Sequence, residues 1–137
     1  MGYVLGLSEI NAAFDKIMAE TAAASRAIVA ESALVVEKKA KGNFSGVHKR
    51  GQPHVGGDQP NVVTGTLRRS IGNDGIHADG LTGASTRVGP RTIYGRRVEL
   101  GYQGSKGYPY FSPAVRDTRE EVLAIARRRW TTSTRPR

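Results

Sequence analysis

Three histidines are the only nitrogen ligands that this sequence offers to a metal ion, and two of them, His48 and His54, share one glycine-rich segment. Protein zinc sites combine histidine, cysteine and carboxylate ligands at close spacing. The chain has no cysteine, Asp58 is the one carboxylate near this pair, and His77 stands apart. We therefore predict neither a metal site nor a cofactor, and we interpret the histidines as solvated loop residues.

Two other patterns bear on catalysis. The segment 101–107, GYQGSKG, resembles a phosphate-binding loop only superficially, because Lys106 is followed by another glycine. A P-loop needs the order G-x-x-x-x-G-K-[ST] with a helix directly after it. No serine lies in a G-x-S-x-G pattern. The acidic residues near the end of the chain, Asp117, Glu120 and Glu121, are explained by pairing with neighbouring arginines. We predict that the protein is not an enzyme and has no catalytic residue.

The charge of the chain is uneven. Among 137 residues, 21 are basic and 12 acidic, which gives a net charge of +9. Residues 1–37 hold two basic and five acidic side chains, a net charge of −3, whereas 38–137 hold the other 19 basic and seven acidic ones, a net charge of +12. An acidic face of one subunit can meet a basic face of its neighbour, and a basic face can contact nucleic-acid phosphate. A surface that only confers solubility is the third interpretation.

The first element that the sequence predicts is a long helix over residues 8–41. This stretch contains neither glycine nor proline, and its large apolar residues recur at helical spacing. A helix of about 34 residues is a rod of about 50 Å, whereas a compact domain of this chain length has a diameter of about 37 Å. We expect the helix either to bend or to pack its free end on another subunit.

The rest of the chain is less regular. The predicted segments are a flexible basic loop at 42–61, a short turn of helix followed by strands at 62–111, a C-terminal helix at 112–130 and a basic tail at 131–137. Within the third segment, glycine-bounded stretches predict strands at 75–78, 84–88 and 98–100. The chain is long enough for one domain. We predict an α+β fold, with both helices packed on a small, mostly antiparallel sheet.

Three short motifs follow the first helix in order: VTGTLRRSI at 63–71, YGRRVELG at 94–101 and PYFSPAV at 109–115. With the helix, they resemble the pattern of a family of small neck proteins of long-tailed bacteriophages, described as tail components, tail-completion proteins or head–tail joining proteins. The chain departs from that pattern at Gly95, where the family tends to have alanine, and we expect this change to be small. The segment 42–61 is variable in the family, so the resemblance assigns it no role.

The residues that carry these motifs are the candidates for an assembly role: Thr64, Gly65, Leu67, Ser70, Ile71, Tyr94, Val98, Glu99, Gly101, Phe111, Pro113 and Ala114. The Thr-Gly-x-Leu order predicts a capped turn that buries Leu67 and Ile71. A strand at 98–100 points Glu99 away from its apolar neighbours, either to pair with an arginine or to remain exposed without a partner. Phe111, which precedes a Ser-Pro pair, predicts a hydrophobic staple at the start of the last helix.

The resemblance implies a structural protein of the virion neck, assembled in the host cytoplasm as a homo-oligomeric ring between the DNA-filled head and the tail. Its symmetry would be sixfold or twelvefold, as cyclic assemblies built from one repeated contact allow. Its partners would be further copies, the adaptor, stopper and tail-terminator proteins, and genomic DNA passing non-specifically through the lumen, with no membrane. The basic residues that could face DNA or a partner are Lys49, Arg50, Arg68, Arg69, Arg96 and Arg97.

The alternative is a small basic nucleic-acid-binding protein of the ribosome-associated or nucleoid type. The net charge and the arginine-rich end of the chain favour it. The aromatic residues are few and are not interleaved with lysine and arginine, as stacking platforms for bases would be.

Overall fold

The computed structural model describes residues 6–45, Gly57, Pro60 and 65–133. In this part of the chain the elements are α1 (Leu7–Gly42), α2 (Thr66–Ser70), β1 (Ile71–Asn73), β2 (His77–Asp79), β3 (Gly83–Ser85), β4 (Val88–Pro90), α3 (Gly95–Leu100), β5 (Gly101–Tyr102), β6 (Ser105–Lys106) and α4 (Phe111–Ser133). The arrangement is the predicted α+β fold, with a long helix at each end. Most of the predicted 42–61 loop lies outside the described residues.

Helix α1 agrees with its prediction to within one residue at each end. At its start, the backbone N–H of Gly6 donates a hydrogen bond to the carboxylate of Glu9, which suits the positive end of the helix dipole. Two lysines, Lys39 and Lys41, lie in its last turn, where cations are favoured. The helix has 36 residues and is therefore about 54 Å long.

The strands form three separate antiparallel pairs among the described residues, rather than the single small sheet that was predicted. Strand β1 pairs with β4, β2 with β3, and β5 with β6. The predicted strand at 84–88 is divided because residues 86 and 87, between β3 and β4, belong to neither strand pair. Here the Thr86 hydroxyl donates to Gly75 O (2.6 Å) and the Arg87 N–H donates to the Asp74 carboxylate (2.9 Å). The strand predicted at 75–78 lies slightly later, as β2.

The strand predicted at 98–100 is wrong, because these residues belong to helix α3. The Val98 N–H donates to Tyr94 O at 3.0 Å, the spacing of a helical hydrogen bond. Val98 packs against the core, whereas Leu100 is exposed. Apolar residues two apart suggested a strand, but a helix of one and a half turns directs them to different sides.

Helix α4 begins one residue before the predicted 112–130 span and continues to Ser133, so the first residues of the predicted tail are helical. It runs antiparallel to the C-terminal half of α1. Asp117, early in α4, lies 3.9 Å from Lys39 near the end of α1. Later in α4, Arg128 and Arg129 both bind Glu31, and these hydrogen bonds lower the pKa of its carboxyl.

The core lies where the C-terminal end of α1 meets the start of α4. Its buried residues are Ala40, Phe44, Leu67, Ile71, Tyr110 and Ala114, with Val98 and Phe111 packed against them. Phe44 falls inside the predicted flexible loop, yet its ring is buried and lies 4.8 Å from that of Tyr110. The alanines Ala40 and Ala114 are small enough to let the two helices approach closely.

Candidate functional site

The three motifs meet around the start of α4. Leu67 and Ile71 from the first motif are buried there, as predicted, beside Val98 from the second and Phe111 and Ala114 from the third. Leu67 and Ala114, which are 47 positions apart in the chain, thus share one apolar cluster. Their arrangement serves to hold α4 against α1.

Glu99 is the polar centre of this junction. Its carboxylate accepts hydrogen bonds from the backbone N–H groups of Tyr110 (2.8 Å), Phe111 (2.9 Å) and Ser112 (2.9 Å), and from the Ser112 hydroxyl (2.5 Å). These donors lie at the first turn of α4, where N–H groups have no partner within the helix. Glu99 therefore caps a helix distant in sequence, which is neither the predicted arginine pair nor an exposed acid without a partner.

The electrostatic state of Glu99 follows from these contacts. Burial raises the pKa of its carboxyl, but the hydrogen bonds from Phe111, Ser112 and Tyr110 lower it more, so the pKa lies below its ordinary value. The carboxylate is the form that accepts all of these hydrogen bonds, and the positive end of the α4 dipole favours it further.

Tyr110 is the most deeply buried large side chain of the junction, at 1 % exposure. Its hydroxyl donates to Gly95 O (3.0 Å), and its own carbonyl accepts from the Asn43 side-chain amide (2.8 Å). Burial, and then the negative charge of Glu99, raise the pKa of Tyr110 to about 12. Tyr110 thus connects the end of α1, the start of α3 and the start of α4.

Gly95 occupies a position that alanine does not fit in this chain. A Cβ atom there would lie 2.5 Å from Pro90 Cγ and 3.2 Å from Leu67 Cδ1. Contacts below about 3 Å are repulsive, so α3 or β4 must move to admit a methyl group. The departure from the family pattern was expected to be small, but in this packing it is not.

We expect Gly95→Ala to lower the free energy of unfolding by about 1–3 kcal/mol, the usual cost of overpacking, even though alanine favours helix by about 1 kcal/mol. Urea denaturation measures the change. Gly89→Ala is the matched control, because a Cβ at Gly89 meets no atom within 4 Å. Equal stability of the two variants would show that Pro90 moves aside without cost.

The remaining motif residues have mostly local roles. Gly65 has φ +73° and precedes α2, and the Ser70 hydroxyl donates to Leu67 O (2.7 Å). Gly101 has φ +87° and ends α3, in a conformation that side chains rarely adopt. Tyr94 is partly exposed and Pro113 lies in the first turn of α4. Thr64, predicted as the cap of α2, lies outside the described residues.

Four of the six basic residues that were predicted to face DNA or a partner lie in the described part of the chain. Arg68 and Arg69 on α2, and Arg96 and Arg97 on α3, are all exposed, and α2 and α3 approach each other where Gly95 meets Leu67. The Arg97 guanidinium lies 4.3 Å from the centre of the Tyr102 ring, a cation–π contact with one face of this ring. Lys49 and Arg50 lie outside the described residues.

A second feature lies far from this junction. Residues 6–20, which we call the overhang, are exposed throughout, including large apolar residues such as Leu7 (75 % exposed) and Phe14 (61 %). The N-terminal end of the long helix is therefore left uncovered by the described residues of its own domain, and its packing on another subunit stays a prediction.

An open groove of about 700 Å³ lies between α1 and α4 and is lined by both acids and lysines, among them Glu31, Lys39 and Asp117. These three side chains take part in the ion pairs that join the helices.

Within residues 6–45, 57, 60 and 65–133, no group of three His, Asp or Glu side chains is placed to hold a metal ion. In the same part of the chain, no helix is long and apolar enough to cross a lipid bilayer.

Sequence reasoning missed three residues of the junction: Asn43, Phe44 and Tyr110. Phe44 follows the end of a predicted helix, where an apolar side chain is a sign of packing, and Tyr110 precedes Phe111, to which the hydrophobic staple of the last helix was assigned.

Comparison of the chain with family models, curated proteins and solved structures finds no significant match.

Proposed function

We propose that this chain is a structural protein of the neck of a long-tailed bacteriophage, a ring component that joins the head to the tail and has no catalytic role. One observation carries the proposal: the N-terminal half of α1 extends from the domain with its apolar residues in solvent. Large exposed apolar surfaces are typical of interaction sites. A rigid rod that its own domain leaves uncovered suits a protein that works only when assembled.

Two further features support this proposal. The three motifs through which the sequence resembles the neck proteins converge on one junction, as expected of a shared fold. The charge is divided between an acidic first quarter and a basic remainder. In a ring built from head-to-tail contacts, the two regions meet across every interface.

The nucleic-acid-binding alternative is favoured by the exposed arginines of α2 and α3. Against it, the Arg97 guanidinium lies against one face of the Tyr102 ring, which leaves that face unavailable for base stacking. In the neck, the same arginines would meet the DNA that passes through the lumen, where weak contact suffices.

Purification of the full chain, followed by light scattering, electron microscopy and the ratio of absorbance at 260 and 280 nm, tests the proposal. We expect rings with the absorbance of pure protein at moderate salt. Monomers that retain RNA, and release it steeply as salt rises, would contradict the neck role.

Two variants make the test specific. Phe14→Asp alters the overhang alone, and Arg96→Glu with Arg97→Glu alters the basic surface alone. If the chain is a ring component, the first variant loses the ring and the second keeps it. If nucleic-acid binding is the function, the second variant loses bound RNA and the first keeps it.

A further inference from the structure

The overhang presents one apolar stripe. With about 100° between successive residues of a helix, five large side chains fall within an arc of about 100°. The members of this overhang stripe are Leu7, Ile10, Phe14, Ile17 and Met18, all of them exposed. Ala12 lies on the opposite side of the helix.

The chain cannot cover this stripe with its own α4. The last ion pair between the two helices joins Arg129 to Glu31, and the structure describes only four further residues of α4, about 6 Å of helix. Met18 lies 13 residues before Glu31, about 20 Å further along α1. The overhang stripe therefore lies beyond the described part of α4, and no residue in the described part of the chain covers it.

Helix α4 carries a second exposed apolar stripe on its outer side. The α4 stripe consists of Val115 (49 % exposed), Leu123 (38 %) and Trp130, which is half-exposed. These residues fall within an arc of about 80° and extend over about 22 Å, somewhat more than the overhang stripe, which extends over about 17 Å. The residues that pack inward, Ala114, Thr118 and Ile125, lie on another side of α4.

The charges beside the two stripes are complementary. The overhang carries three acids, Glu9, Asp15 and Glu20, and one base, so its net charge is −2. Helix α4 carries five arginines and three acids, a net charge of +2, and Arg116, Arg119 and Arg127 lie within or beside its apolar stripe. Two acidic helices side by side would repel each other, whereas an acidic helix is attracted to a basic one.

We infer that the overhang stripe of one subunit packs on the α4 stripe of a second copy of this chain. The inference deepens the proposed function and rests on it, since it names the two surfaces of the ring contact. Because the surfaces differ, the contact is heterologous, and each subunit offers one of each to its two neighbours. Such contacts repeat around a closed ring.

Cysteine cross-linking tests the contact directly, because the chain has no cysteine of its own. Phe14 and Leu123 lie near the centres of their stripes, so Phe14→Cys with Leu123→Cys brings two thiols together whichever way the helices run. Oxidised glutathione should convert this double variant into covalent multimers of several chains. The matched control, Ala12→Cys with Ala124→Cys, places both thiols on the opposite faces of the same helices and should stay monomeric on denaturing gels.

Three other results would overturn the contact, the neck role or both. Covalent dimers from Phe14→Cys alone would show that two overhangs pair with each other, and would overturn the inference. If the wild-type chain forms rings but the double variant gives no multimers, the α4 stripe is not the partner, and the neck role stands without this contact. A wild-type chain that is monomeric, together with a double variant that gives no cross-links, overturns both proposals.

Discussion

We expect Tyr110→Ala to lower the free energy of unfolding by about 3–5 kcal/mol, the range for truncation of a large buried aromatic side chain. The side chain is almost fully buried, and its ring packs against Phe44 at the end of α1. Removing it leaves a cavity between α1, α3 and α4, and leaves Gly95 O without its hydroxyl donor. Urea denaturation followed by circular dichroism measures the loss.

Two companion variants separate the parts of this effect. Tyr110→Phe keeps the ring and removes only the hydrogen bond to Gly95 O, so the expected loss is about 1–2 kcal/mol. Tyr102→Ala is the control, because this exposed tyrosine should change stability by no more than about 0.5 kcal/mol. If Tyr110→Ala and Tyr102→Ala were equally stable, Tyr110 would not belong to the core.

The parts of the fold that the sequence predicted well are those decided by local chemistry. The uninterrupted composition of 8–41 predicted α1 to within one residue, because glycine and proline are the residues that end helices. Length alone left open whether α1 bends or packs its free end on another subunit, and the exposure of residues 6–20 is what the structure adds. Leu67 and Ile71 were also correctly assigned to the core.

The parts that were predicted wrongly depend on contacts between distant residues. Val98 and Leu100 alternate as strand residues do, but Gly95 allows α3 to pack against Pro90, and a helix forms instead. Glu99 has no local sign that it caps a helix starting 12 residues later. Phe111 was predicted as the anchor of α4, yet it is only partly buried, while the adjacent Tyr110 carries that role.

These contacts also link the junction to the proposed ring. Glu99 and Tyr110 fix the first turn of α4, and the arginines at its other end bind Glu31. Held at both ends, α4 presents its outer stripe in one orientation relative to the overhang. Loosening the junction should therefore weaken assembly as well as stability, even though no junction residue lies in either stripe.

Glu99→Ala should lower the free energy of unfolding by about 2–3 kcal/mol at neutral pH, since hydrogen bonds to a charged group contribute about 1.5–3 kcal/mol. The change removes the acceptor for three backbone N–H groups and one hydroxyl at the start of α4. Glu99→Gln should destabilise the fold less than Glu99→Ala does, because the glutamine amide oxygen still accepts hydrogen bonds. It should still be less stable than wild type, because the amide NH₂ group faces N–H and O–H donors. Thermal and urea denaturation of wild type, Glu99→Gln and Glu99→Ala measure the order of their stabilities.

The pH dependence distinguishes capping by a carboxylate from simple packing. Because the pKa of Glu99 is lower in the folded protein than its ordinary value of 4.5, its contribution is fully present above that value and is lost as pH falls through the folded pKa. The advantage of wild type over Glu99→Gln should therefore shrink below about pH 4.5. Glu31 and Asp74, whose pKa values are also lowered, titrate equally in both chains and cancel in the difference. Glu120→Gln, which removes an exposed acid of α4, is the control. A constant advantage of wild type over Glu99→Gln across this pH range would mean that shape, and not charge, holds α4 in place.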